Sequence, residues 1–138
     1  MKVIQVVGRS NSGKTTFIKN LIPELKKYGK VAVIKHLGDH DYLLEEGKDT
    51  TIFYDAGADI TVGIDANKTV ITFRKNQLDD TLRMLFFHRI DYAIIEGYKE
   101  RSFPKIVIGN LTVDQYILRN PTVDEVIKSL PHFEDFQT

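Results

Sequence analysis

Eight residues near the start of the chain, Gly8-Arg9-Ser10-Asn11-Ser12-Gly13-Lys14-Thr15, constrain the fold more than any other segment. They match G-x-x-x-x-G-K-[ST], the P-loop pattern. The physical needs behind it are specific. The glycines let the backbone wrap closely around phosphate oxygens. Loop amides and the start of the following helix present donors and a positive dipole to an anion. The Lys14 ammonium can reach β- and γ-phosphates, and the Thr15 hydroxyl can complete a Mg²⁺ shell. Context supports the match. The β-branched run Val3–Val7 precedes it and predicts a buried strand. An amphipathic helix is predicted over 15–28, with Phe17, Ile18, Leu21, Ile22 and Leu25 on one face and Gly29 at its stop.

Further along, strands and helices alternate. Val31–Ile34 predicts a second strand that runs on into Lys35 and His36. A short helix is expected around 49–56. Ile60–Ile64 and Val70–Phe73 read as an antiparallel hairpin attached to an otherwise parallel sheet. Leu78, Leu82, Leu85 and Phe86 mark another helix. Tyr92–Ile95 and Ile106–Ile108 read as buried strands. Thr122-Val123-Asp124-Glu125 is a capping box opening a last helix, and the tail after Pro131 is expected to fray. The expected class is α/β: a P-loop NTPase fold, mostly parallel, with helices on both faces and an antiparallel hairpin. The 138 residues suit one domain over 1–138.

A P-loop needs a carboxylate at the end of another strand, near the metal. Asp91-Tyr92-Ala93-Ile94-Ile95-Glu96-Gly97 has one at each end, and ligands bind at carboxyl ends of such strands. Glu96 is therefore the candidate. Lys35, His36, Asp39, His40 and Asp41 form a polar cluster after the second strand. It can serve beside nucleotide or Mg²⁺, or be a solvated loop with turn-forming aspartates. Lys48 can contact an anion while Asp49 or Thr50 caps the short helix. Lys99 and Lys105 can face a triphosphate or a second substrate, and Asn110, at a strand end, can read the base.

Composition excludes several classes. Without cysteine there are no disulfides, thiolate metal sites or cysteine nucleophiles. A net charge of zero gives no broad attraction to nucleic acid or anionic membrane. No apolar run approaches the roughly 20 residues that span a bilayer. The expectation is a soluble, cytoplasmic protein with neither nucleic acid nor membrane as partner.

Several segments together resemble one family. They are Gly8–Thr16 with Leu21-Ile22-Pro23-Glu24-Leu25, Val33-Ile34-Lys35-His36, Asp39-His40-Asp41-Tyr42, Gly47-Lys48-Asp49-Thr50, Asp55-Ala56-Gly57-Ala58, Glu96-Gly97-Tyr98-Lys99 and Pro104-Lys105-Ile106. In this order they resemble MobB, molybdopterin-guanine dinucleotide biosynthesis protein B. The chain departs from that pattern at Asp39, where relatives usually carry a second histidine. The resemblance implies a GTP-binding accessory protein, typically homodimeric, with weak Mg²⁺-dependent GTPase activity. It implies a MobA-like molybdenum cofactor guanylyltransferase as partner. It also implies that Lys14, Thr15, Lys35, His36, Asp41, Lys48, Asp49, Glu96 and Lys99 surround the nucleotide. The nucleotide set is then Gly8, Arg9, Ser10, Asn11, Ser12, Gly13, Lys14, Thr15, Thr16, Lys35, His36, Lys48, Asp49 and Lys99. The metal set is Thr15, Asp41 and Glu96, and the residues carrying any hydrolysis are Lys14 and Glu96.

Two other readings share the P-loop. A small-molecule or nucleoside kinase would need an arginine-bearing lid, for which Arg101 is the nearby arginine. A Ras-like switch would need Asn-Lys-x-Asp, but Asn67-Lys68-Thr69-Val70 lacks the aspartate and sits in a turn. GTP over ATP is thus implied by resemblance alone.

Overall fold

The computed structural model describes residues 1–75 and 77–138. The chain divides into two compact units, one of Met1–Leu37 with Leu82–Thr138, the other Gly38–Thr81.

The first unit is built on a mostly parallel sheet. Its strands are β1 (Lys2–Gly8), β2 (Val31–Lys35), β5 (Tyr92–Glu96), β6 (Lys105–Ile108) and the short β7 (Leu118–Arg119), in the order β2-β5-β1-β6-β7. All four pairings along this path are parallel. Connections leave β1 towards β2 on one side, while β6 and β7 lie on the other. The order therefore reverses beside β1, and in such sheets the ligand crevice forms at the carboxyl ends there.

Alternation sorts the side chains. Ile4, Val6, Ile94, Ile106 and Ile108 face a layer made by α1 (Lys14–Leu25) and α4 (Val123–Lys128), where they meet Ile18, Leu21, Leu25 and Val126. The opposite face, with Val3, Gln5, Val7, Ala93, Ile95 and Val107, is buried as completely. That is why β1 and β5 read as continuous apolar runs. α1 stops at Leu25, short of the expected end at Tyr28. Lys27 and Tyr28 donate to the carbonyls of Glu24 and Leu25, closing the last turn more tightly. Gly29 is required by close approach: a Cβ there would lie 2.4 Å from Asp91 Oδ2. Asp91 itself accepts from the Lys30 amide at 2.7 Å, so the other carboxylate of the β5 run ties strands together.

α4 opens with the predicted capping box, Thr122 and Glu125 each accepting from the other's backbone amide. The tail does not fray. After a 3₁₀ turn (Leu130–His132), Phe133 is 3% exposed within the α1–α4 core. Residues Glu134–Asp135 form β8, antiparallel to Lys2–Val3 of β1. Phe133 burial, the β8 pairing and the Lys2–Asp135 ion pair together oppose the chain entropy of the tail.

The second unit holds α2 (Asp49–Asp55) and the hairpin of β3 (Ile60–Ile64) and β4 (Thr69–Phe73). The hairpin is a two-stranded sheet of its own, not an extension of the main sheet. Its turn is set by Asp65, whose Oδ1 accepts from the Asn67 and Lys68 amides. Arg74 lies over the Tyr54 ring at 3.8 Å and donates to the carbonyls of Ala58 and Tyr54. Register places Ile60 opposite Phe73 and Val62 opposite Ile71. These four share one face with Ile64, and all five are exposed. The chain re-enters the first unit within α3 (Leu78–Phe87).

Candidate functional site

Gly8 ends β1, and a Cβ on it would meet the Ile108 carbonyl at 2.5 Å and Ser12 Oγ at 2.7 Å. The loop then turns through left-handed backbone at Asn11 (φ 61°) and Gly13 (φ 100°). α1 starts at Lys14 with no side-chain cap and no acidic residue in its first turn. Its amino-terminal dipole is therefore unopposed. Thr15 and Thr16 are exposed in that first turn. Ser12 Oγ is buried without a hydrogen-bond partner, a hydroxyl with capacity to spare.

The Lys14 side chain arches back over the loop. Its Nζ donates to the carbonyls of Gly8 (2.9 Å) and Arg9 (2.8 Å). Partial burial pulls the ammonium below the ordinary lysine value. The Glu96 carboxylate opposes this, and the Lys99 and Lys35 ammoniums add to it. Glu96 lies at the carboxyl end of β5, where register sets it beside Lys35 of β2. Lys35 Nζ and Glu96 Oε1 are 3.1 Å apart, the carboxylate side being 12% exposed. His36 and Tyr98 stack next to them, ring centroids 4.0 Å apart and planes within 15°. Lys14 thus feels one carboxylate and two further ammonium groups at the carboxyl edge, a field suited to a polyanion.

On the β6–β7 side of the loop an open depression of about 700 Å³ is lined by Arg9, Ser10, Ser12, Gly109, Asn110, Arg119 and Asn120. Its floor is fixed. Asn120, left-handed at φ 48°, accepts from the Gly109 amide at 2.6 Å. Arg119 donates to the carbonyls of Gly109 and Leu111 at 2.8 and 2.9 Å.

The structure thus brings Gly8–Thr16, Lys35, His36, Glu96 and Lys99 to one edge of the first unit. Asp41, Lys48 and Asp49 belong to the second unit. There Asp41 is exposed, and Lys48 pairs with Glu45 at 2.9 Å. Lys48 itself occupies the cap position of α2, and Asp49 lies in the first turn, so neither Asp49 nor Thr50 is the cap. Among the described residues, no three His, Asp or Glu side chains converge as a metal cage. Mg²⁺ characteristically takes one or two carboxylates plus substrate phosphates, and Glu96 with Thr15 fits that donor set.

Lys105 is not at the anion edge. It is 7% exposed, and its Nζ donates to Gln5 Oε1 at 3.0 Å. The importance of Gln5 was hidden in its strand; the sequence signal is one amide inside an otherwise apolar run. Arg119 and Asn120 had no local signal, since β7 is only two residues long.

Strand order, loop geometry and the neighbouring carboxylate define a P-loop NTPase-type α/β protein. The model of the family "Molybdopterin guanine dinucleotide synthesis protein B", MobB, matches residues 3–128. The chain belongs to the MobB family. Relatives named as molybdopterin-guanine dinucleotide biosynthesis adapter proteins include one from Methanocaldococcus jannaschii, 36% identical over 93% of this chain and 60% of its own length. One from Bacillus subtilis is 38% identical over 77% of this chain and 64% of its own length. The chain therefore spans less than two thirds of these two relatives. The crystal structure of Bacillus subtilis MobB superposes with a TM-score of 0.74 at 26% identity, covering 94% of this chain and 98% of that one. A MobB homologue from Bacillus stearothermophilus gives 0.59 at 26% identity, covering 99% and 75%. No helix among the described residues is long and apolar enough to cross a membrane.

Proposed function

We propose that this protein is a GTP-binding adapter in molybdopterin guanine dinucleotide biosynthesis, working beside a MobA-like guanylyltransferase. The observation that carries the reading is Lys14 arched over its own loop, with Glu96 and Lys99 near it. In this reading a triphosphate replaces the Gly8 and Arg9 carbonyls as the partner of Lys14. The amides of the loop, with Arg9, Ser10, Asn11, Ser12, Thr15 and Thr16, surround the phosphates. Lys35, His36 and Lys99 flank them. Lys48 and Asp49 are assigned to the nucleotide on family resemblance alone. Thr15 and Glu96, with Asp41 on the same resemblance, are the residues for Mg²⁺, which neutralises phosphate charge when bound. Hydrolysis is slow, because the charges around Lys14 are two further lysines and a carboxylate, while an arginine finger is what accelerates P-loop hydrolysis.

The site beside the loop takes the base. It is an open depression of about 700 Å³, a volume within the usual range of ligand sites, and its arginine, serine and asparagine groups supply orientation. Calorimetric titration of GTP and ATP with Mg²⁺ tests this. GTP should bind about 5- to 150-fold more tightly than ATP, as one bidentate base-edge contact is worth roughly 1–3 kcal/mol. Asn110→Ala should remove most of that difference while leaving ATP affinity unchanged. ATP binding equal to GTP binding in the native chain would sink the guanine assignment and bring the kinase reading forward.

The homodimer is assigned to the exposed hairpin face. An isolated two-stranded sheet is marginal in water, and five apolar side chains on one face call for a cover. A second copy supplies the same face in an isologous contact. Val62→Asp, on that face and 50% exposed, should convert a dimer into a monomer in sedimentation equilibrium. A native chain that is monomeric at high micromolar concentration would refute this.

A further inference from the structure

Gln5 is fully buried in the middle of β1. Its Nε2 donates to two consecutive carbonyls, those of Gly97 (2.9 Å) and Tyr98 (2.6 Å). Both residues are left-handed, at φ 99° and φ 53°. For tyrosine that conformation is unfavourable and persists only where the surroundings fix it. The other end of the same amide accepts from Lys105 Nζ at 3.0 Å. Lys105 also donates to the carbonyls of Arg101 (2.6 Å) and Phe103 (3.4 Å). An ammonium only donates and a carbonyl only accepts, so the amide has one possible orientation. Gln5 and Lys105 are register partners across β1 and β6. Two buried side chains therefore take up four carbonyls of the segment after β5.

Glu96 immediately precedes the two left-handed residues, and Lys99 immediately follows them. Both act on Lys14 through charge. The stack of Tyr98 on His36 holds the outer side of the turn, and the amide holds the inner side. Without the amide, the inward-turned Gly97 carbonyl would lose its donor and the Tyr98 carbonyl would keep only the Arg101 amide, at 2.9 Å, a cost that the backbone relieves by changing conformation.

We propose that Gln5 and Lys105 are positioning residues for the phosphate and metal edge, fixing the turn that sets Glu96 and Lys99 against Lys14. This rests on the reading of Glu96 as a Mg²⁺-side residue. Outer-shell partners of this kind commonly change metal affinity by about 10–100-fold when altered.

The test is Gln5→Glu in the full chain. It keeps the side-chain volume and gives Lys105 a carboxylate partner, but removes the donor to Gly97 and Tyr98. GTP binding is measured without Mg²⁺ and then across a Mg²⁺ titration, with thermal melting alongside. The expected result is a Mg²⁺ midpoint raised about tenfold, with Mg²⁺-free GTP affinity lowered no more than about fivefold, the share of one displaced surface ammonium. Lys105→Met, which removes the ammonium and keeps an apolar stem, should act in the same direction. An unmoved midpoint overturns the proposal. So does a loss of Mg²⁺-free binding as large as the midpoint shift, or melting of both variants below the assay temperature, since either would make the pair a general folding requirement. Glu96→Gln separates the two levels. An unmoved midpoint there overturns the reading of Glu96. A midpoint moved there but not in Gln5→Glu overturns the positioning role alone.

Discussion

Lys14→Ala is expected to weaken Mg·GTP binding by at least about 100-fold while leaving the fold intact. In the free protein the Lys14 ammonium is held by two loop carbonyls, so its loss exposes little that water cannot satisfy. In the complex it would donate to phosphate oxygens. Hydrogen bonds to charged groups contribute roughly 1.5–3 kcal/mol each, and two of them amount to about 3 kcal/mol, which is near 100-fold in affinity. Burial and two neighbouring lysines already disfavour the Lys14 charge, with only Glu96 in opposition. A triphosphate relieves that repulsion, which enlarges the effect. Calorimetry on the native chain and the Lys14→Ala variant gives the ratio directly. Affinity retained within about threefold would mean that the phosphates are held elsewhere.

Gly8→Ala should act on the scaffold as well as on binding. The added methyl would sit 2.5 Å from a backbone oxygen of β6, and 2.7 Å from the Ser12 hydroxyl. The hydroxyl can rotate away, but the Ile108 carbonyl lies within a paired strand and cannot. Overpacking of this kind costs about 1–3 kcal/mol, roughly 5–10 °C in melting temperature for a domain of this size. Relief comes from pushing β1 and β6 apart, which also opens the loop, so GTP binding should fall with stability. An unchanged melting temperature would mean that the loop does not approach β6 as closely as described.

Much of the first unit was legible because its signals are local. The loop motif, the strand before it and the helix after it lie within the first 25 residues, and the Thr122–Glu125 box is complete within four. Glu96 could be chosen over Asp91 because strand direction follows from the P-loop itself. What stayed hidden depends on register between distant segments. The Gln5–Lys105 bond spans 100 residues, and nothing near Lys105 separates a buried staple from an anion contact. The fate of the tail turned in part on one aromatic: Phe133 enters a core whose shape exists only once α1 and α4 have packed. The separateness of the hairpin was equally invisible, since an alternating pattern specifies a face but not the sheet it joins.

The pairing of β8 with β1 also decides where the molecule can be handled. Lys2 and Asp135 are linked by a 3.0 Å ion pair, and the Phe136 amide bonds the Met1 carbonyl at 2.8 Å. Residues 1 and 136 are therefore side by side at the amino edge of β1, while Gly8 and the phosphate loop lie at the other edge, about 20 Å away at roughly 3.3 Å per residue. A tether, a fluorophore pair or a fused module joined at either residue would leave the nucleotide edge open to solution. A donor and acceptor dye placed on the two would sit in close proximity and separate when β8 leaves β1.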